Sequence, residues 1–264
     1  MRTFLLTLLL AASSVLAAPL PSMKIEACGE HLPYGVPSAT SIDSENICRF
    51  GYALQHDNVK KVPLWVAYSL TPDRVLGCYP RTSGFSAEPS VPRGKRAEDS
   101  DYTGSGYDRG HMAPNNDMRW HMQVEDDANV LSNTAPQAPG LNRGAWKQLE
   151  DKVRAIVYER RSPVLVYSGP IFSPDSVTIG EGKVAVPASF FKVLVDQKTK
   201  QVLAYIYPNT DISGDPELFR VSYAEVVRQA GFILPLPSDP VMSRSTWPTV
   251  EKSLSDERLA ACTK

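Results

Sequence analysis

The sequence predicts an α+β fold, with a largely antiparallel central sheet flanked by helices. Phe50, Tyr52 and Leu54 alternate with smaller or polar residues, and Val62, Leu64, Val66, Tyr68 and Leu70 repeat the pattern beyond a polar connection from His56 to Lys61, which is a hairpin signal. A second hairpin is predicted from Lys183 to Asp196 and Gln201 to Tyr207, around the turn Gln197-Lys198-Thr199-Lys200. Helical spacing is confined to a few separate stretches, so strands and helices do not alternate as a parallel sheet requires.

Taken in order, residues 1–17 read as a signal peptide. Arg2 gives a positive start, Phe4 to Leu10 is apolar apart from Thr7, and Val15-Leu16-Ala17 offers small residues for cleavage before Ala18. That run is shorter than the roughly 20 residues a bilayer span requires, and no later stretch is long and apolar enough to be a membrane helix. The expected product is an exported protein, periplasmic or secreted, with no membrane segment. Residues 18–264 should form one domain, with 18–44 as an extended arm rich in Pro, Gly and Ser. All four cysteines, Cys28, Cys48, Cys78 and Cys262, lie in the exported part, and none forms a C-x-x-C pair. An even number in an oxidising compartment favours two disulfides. Three pairings are open; the short loop favours Cys28–Cys48, leaving Cys78–Cys262.

Tyr79 to Tyr107 is polar and reads as a long loop, a kind of segment that is often functional inside a compact domain. Its charge run from Arg93 to Asp101 is mixed in sign, as in a solvated loop. A helix should begin near Leu141 or Asn142 and run to about Arg160, because Ala145, Leu149, Val153 and Ile156 recur on one face. Trp146 belongs with that core face. Val164 to Ser168 reads as a strand stopped by Gly169-Pro170. Ser222 and Glu225 form a capping-box pattern before a helix ending at Gly231, and Thr249 to Cys262 could make a last amphipathic helix.

With 28 Lys+Arg against 29 Asp+Glu, the chain carries a formal charge of −1. Bulk charge thus gives no sign of a nucleic-acid binder. Any grip on phosphates must be local, and Arg81, Arg93, Lys95, Arg96, Arg109, Arg119, Arg143 and Lys147 gather in sequence around one motif, Tyr107-Asp108-Arg109-Gly110-His111-Met112-Ala113-Pro114. An imidazole titrates near pH 6.5, about the right strength to take a proton from water, so His111 suits a general base. Arg109 lies two positions earlier and on an extended segment faces the same way, so both side chains could meet one phosphate. Gly110 would let the backbone come close. Arg81 is a second guanidinium candidate. Asn142, at a helix start, can offer an amide oxygen to a hard cation such as Mg²⁺, which takes few protein ligands and retains water. Glu150 lies eight residues on, about 12 Å and roughly 80° around a regular helix. It is therefore assigned to the cation through water unless the helix start is irregular.

The set Asp108-Arg109-Gly110-His111, Asn133, Pro136-Gln137 and Asn142-Arg143-Gly144-Ala145-Trp146, ending in Glu150, resembles the DNA/RNA non-specific endonuclease family, the endonuclease G-like enzymes with a ββα-metal (His-Me finger) site. The likeness runs from about Val62 to about Arg228 and includes Ser168 to Phe172 and Val186 to Lys192. The resemblance implies His111 as general base, Asn142 as the direct ligand of one Mg²⁺ (Mn²⁺ substituting), and Glu150 reaching it through water. It also implies Arg81, Arg109 and Asn133 in phosphate binding, DNA and RNA as partners through their backbones, and 5′-phosphate and 3′-hydroxyl ends. Relatives are often homodimers.

Plainer roles stand beside these. Asparagine is a favoured N-cap, so Asn142 could simply cap its helix. Arg109 could be a salt-bridge partner of Asp108, Glu150 a solvated helix residue, and His121 an exposed or locally packed side chain. The alternative function is a non-catalytic relative that binds nucleic acid or another polyanion. Retention of His111, Arg109 and Asn142 together favours the enzyme, since a binder needs neither base nor cation site.

Overall fold

The computed structural model describes residues 23–242, together with 254, 261 and 262. Residues 1–17, and most of the helix expected at 249–262, fall outside the described residues. The chain opens with a 3-10 turn, Ile25–Cys28, followed by β1 (Ser44–Cys48), β2 (Ala53–Asp57) and β3 (Val62–Leu70). Then come α1 (Asp99–Tyr102), β4 (Asp108–His111), α2 (Asn115–Met118), α3 (Met122–Ala128) and β5 (Thr134–Gln137). α4 (Pro139–Arg143) and α5 (Ala145–Arg160) lead into β6 (Val164–Ile171), β7 (Thr178–Ile179), β8 (Val184–Ala185), β9 (Ser189–Asp196) and β10 (Gln201–Pro208). β11 (Arg220–Val221), α6 (Tyr223–Ala230) and β12 (Val241–Met242) close the sequence of elements.

The main sheet has the order β1-β2-β3-β6-β9-β10-β11, with β12 also on β10. Its pairings are antiparallel except β10–β12, which is parallel. The fold is α+β, as the two predicted hairpins required. Both faces of the sheet are covered. Along β9, Phe190 and Leu194 enter one core while Phe191, Val193 and Val195 enter the other. The first core holds α5, Trp146 and the β4–β5 hairpin; the second packs under the N-terminal segment and α6.

Several boundaries differ from expectation for identifiable reasons. The sequence predicts a surface arm over residues 18–44, yet within its described part Cys28, Leu32 and Ala39 are buried in the second core, and Cys28 is bonded to Cys48. The second disulfide is Cys78–Cys262. The first hairpin gains an outer strand, β1, and the alternation at Phe50 belongs to the β1–β2 turn, where that ring is half exposed. Gly169-Pro170 does not stop β6. The ladder to β3 ends at Val66–Ser168, and Pro170 pairs only with Phe190 of β9, so its missing N–H breaks no bond to β3. The run from Arg93 to Asp101 is not a freely solvated loop: Asp101 is buried and its carboxylate accepts from Glu98 N and Gly182 N. At α6 Ser222 accepts from Glu225 N as predicted, but the Glu225 carboxylate turns to Arg228 and Gln229 instead of completing the box.

Candidate active site

β4 and β5 pair antiparallel, with Asp108 opposite Gln137 and His111 opposite Thr134, and lead directly into α4 and α5. Gly110 allows this hairpin to close, because a Cβ there would lie 2.2 Å from Gln137 Oε1. The close approach the structure shows is to a neighbouring side chain. The predicted single helix is broken at Gly144, where a Cβ would lie 2.3 Å from the Gly140 carbonyl oxygen. With the break, the regular-helix spacing between Asn142 and Glu150 no longer applies.

His111, Asn142, Glu150, Arg81, Arg143 and Lys147 line one cavity of about 210 Å³. The sequence-predicted base, cation ligand and carboxylate therefore share a pocket. A larger apolar cavity, about 510 Å³, lies at the β10–β11 edge and holds none of these groups. His111 Nε2 lies 3.1 Å from Asn129 Oδ1, and the Phe85 ring packs 5.3 Å from the imidazole. Burial pushes the His111 pKa down to about 4, against the raising effect of the Asn129 bond and with help from the Arg81 charge.

Asn142 Nδ2 donates to Asp108 Oδ2 at 2.9 Å, which fixes the amide and leaves Oδ1 without a protein donor among the described residues. Arg143 grips the same carboxylate through Nε and Nη2 at 2.8 and 2.6 Å. Burial would raise Asp108, but the bonds from Arg143 and Asn142 outweigh it and hold the group low. Asn142 makes no N-terminal cap, since it sits near the end of α4. Asn115 lines the cavity too; its Nδ2 donates to Glu125, and its buried Oδ1 has no donor. Oxygen atoms of neutral amides beside a carboxylate are the donor set a hard cation accepts.

Glu150 is not a solvated helix residue. Its Oε1 lies 3.7 Å from Lys192 Nζ, and Lys192, on β9, is fully buried over the Trp146 ring. Burial pushes Glu150 up to about 7, against the pull of Lys192 and Arg154. Behind it Arg154 Nη1 donates to Asp117 Oδ1 at 2.6 Å and Tyr68 donates to Asp117 Oδ2 at 2.8 Å, so the carboxylate is backed by a buried ionic network.

Two predicted phosphate ligands are placed differently. Asn133 is fully buried: Nδ2 donates to the carbonyls of Ala113 and Ala128, and Oδ1 accepts from Ala113 N. Its amide has no capacity left for a phosphate and instead holds the segment after His111 in place. Arg109 does face the His111 side of β4, but Phe85 lies between them, and its guanidinium is paired with Asp99 at 2.6 Å instead of with Asp108. Arg109 does not line the cavity. Arg81 does, and among the described residues it has no ion-pair or hydrogen-bond partner. His121 is exposed and caps α3 by accepting from Gln123 N. Sequence reading missed Asn129, Phe85, Asn115, Asp108 as a clamp, and Lys192. No local pattern marks a residue that touches His111 from 18 positions away.

A histidine on a β-hairpin, sharing a cavity with an amide and a carboxylate from the following helices, matches the layout of a ββα-metal nuclease site. The sequence model of the family described as DNA/RNA non-specific endonuclease matches residues 33–237. Human mitochondrial endonuclease G is 34% identical over 221 residues, covering 78% of this chain and 73% of that protein. Nuclease C1 of Cunninghamella echinulata var. echinulata is 32% identical, covering 72% of this chain and 88% of its own. The solved structure of the EndoG/EndoGI complex superposes with a TM-score of 0.72 at 32% identity, over 78% of this chain and 90% of the other. This chain belongs to the DNA/RNA non-specific endonuclease family, whose members are metal-dependent nucleases.

Proposed function

We propose that this chain is an exported, Mg²⁺-dependent endonuclease that hydrolyses phosphodiester bonds of DNA and RNA and leaves 5′-phosphate and 3′-hydroxyl ends. The observation that carries the reading is the shared cavity of His111, Asn142, Glu150 and Arg81. When bound, by Asn142 Oδ1 directly and by Glu150 through water, the cation supplies positive charge to the scissile phosphate and the departing oxygen. His111, kept neutral by burial, takes the proton of the attacking water. Arg81, with no ion-pair or hydrogen-bond partner among the described residues, contacts the phosphate oxygens and stabilises the charge that builds on them. Arg143 and Lys147 add positive charge to the cavity wall, although each is tied to a carboxylate, Asp108 and Asp151 respectively. Backbone recognition of this kind carries no base or sugar readout, so DNA and RNA are both substrates. The two disulfides and the leader-like residues 1–17 support export.

Relaxation of a supercoiled plasmid, with a parallel RNA digestion, tests the reading. Both substrates should be cut with Mg²⁺ or Mn²⁺ and spared in EDTA. Binding without any cutting in Mg²⁺ would instead favour a non-catalytic relative.

A further inference from the structure

The base at position 111 has a second nitrogen to account for. A neutral imidazole carries one proton, and only the bare nitrogen can accept another. Which nitrogen is bare follows from three residues outside the cavity wall. Thr82 lies on the long loop, one position after Arg81. Its hydroxyl is 2.7 Å from Glu125 Oε2, and its backbone N–H donates to Glu125 Oε1 at 3.0 Å. Glu125 Oε1 also accepts from Asn115 Nδ2 at 2.6 Å. Asn129 Nδ2 lies 3.0 Å from Thr82 Oγ1, and Asn129 Oδ1 lies 3.1 Å from His111 Nε2.

The direction of every bond in this chain is set from its far end. An ionised carboxylate only accepts, so the single hydroxyl proton of Thr82 goes to Glu125. The Thr82 oxygen must then accept, and only the NH₂ end of the Asn129 amide can donate to it. The carbonyl end of Asn129 is left facing His111, so Nε2 must carry the proton. Nδ1, which has no protein partner among the described residues, keeps its lone pair. If the amide were turned over, it would present N–H to Nε2, move the ring proton to Nδ1 and leave no base.

We propose that Thr82 is a positioning residue which, through Asn129, selects the Nε2-protonated tautomer of His111, with Glu125 setting the polarity of the chain. The proposal rests on His111 being the base of the reaction described above. Its consequence is that the loop carrying the phosphate-facing Arg81 also holds the base in its working form. Disordering that loop would disable both functions together.

Thr82→Val removes the hydroxyl with little change in shape, and Thr82→Ser restores it. The decisive measurement is the ring ¹⁵N spectrum of histidine-labelled protein near neutral pH, without metal or substrate, with His111 assigned by difference from His111→Ala. Wild type and Thr82→Ser should show only the Nε2-protonated ring, and Thr82→Val a mixture of tautomers. In plasmid cleavage Thr82→Val should lose at least about tenfold in kcat with KM within about twofold, because a wrong tautomer removes base catalysis and leaves binding intact. An unchanged ring spectrum in Thr82→Val would overturn the proposal whatever its activity, as would a wild-type ring protonated on Nδ1. A wild-type chain inactive on nucleic acid would defeat the nuclease reading, and the spectrum would still decide this one.

Discussion

Replacing Asp108 by alanine tests the orientation of Asn142, the proposed cation ligand. The carboxylate accepts from Asn142 Nδ2 at 2.9 Å and from two nitrogens of Arg143, and its side chain is 17% exposed. Hydrogen bonds to a charged partner are worth about 1.5–3 kcal/mol, and partial exposure places this one near the lower end. Without it the Asn142 amide can turn, presenting NH₂ where the cation needs an oxygen. About 1.4 kcal/mol is a factor of ten in affinity, and loss of such outer contacts at metal sites commonly costs about 10–100-fold. The half-saturating Mg²⁺ concentration for plasmid relaxation should therefore rise about tenfold or more. Arg143→Ala is the control, because it leaves the bond between Asp108 and Asn142 in place and should affect mainly KM for nucleic acid. A Mg²⁺ titration of Asp108→Ala that overlays wild type would refute the reasoning.

Three further outcomes follow from the same geometry. His111→Ala should lower kcat by about 10²–10⁴, the usual worth of a general base, while His121→Ala, altering an exposed cap, should leave cleavage nearly unchanged; equal activities would misassign the base. Because burial holds His111 neutral down to about pH 4 while it pushes Glu150 up to about 7, the acid limb of kcat/KM is to be read at saturating Mg²⁺, which favours the ionised Glu150 carboxylate, and should there fall well below 6.5. Arg81→Ala, which removes a charge that opposes imidazole protonation, should move that limb upward; a wild-type limb at or above 6.5 would contradict the burial. Asn133→Ala strands the carbonyls of Ala113 and Ala128 and the N–H of Ala113. About 3 kcal/mol of lost stability is expected for such buried groups, seen as a Tm about 6–12 °C lower. A full loss of activity with an unchanged Tm would return Asn133 to phosphate contact.

The parts of the fold legible in the sequence were those written in local periodicity. The β2–β3 and β9–β10 hairpins follow from alternation around polar connections, and α6 from its serine cap and terminal glycine. From the sequence β6 ends early, because a proline's neighbouring strands cannot be read from local pattern. A ladder that stops on one side is a tertiary fact, and it decides whether a missing N–H matters. The same limit hid β1, a strand defined by its register against β2 and carrying at its end Cys48, which is bonded to Cys28.

At the site, residue type announced chemistry but not direction. Asn133 and Asn142 are both asparagines within the motif region, and composition gives them equal claim on a phosphate or a cation. What separates them is where their hydrogen bonds end. Asn133 has both ends of its amide occupied by backbone in the interior, whereas Asp108 holds only the NH₂ end of Asn142 and leaves the oxygen for the cavity. Arg109 and Arg81 differ in the same way, since Asp99 neutralises the first and, among the described residues, no partner holds the second. A side chain is available for chemistry to the extent that the fold has left one of its polar ends unmatched. That remainder is settled by contacts from other segments, Asp99, Asp108 and Ala113 among them, and none of these could be weighed before the chain was folded.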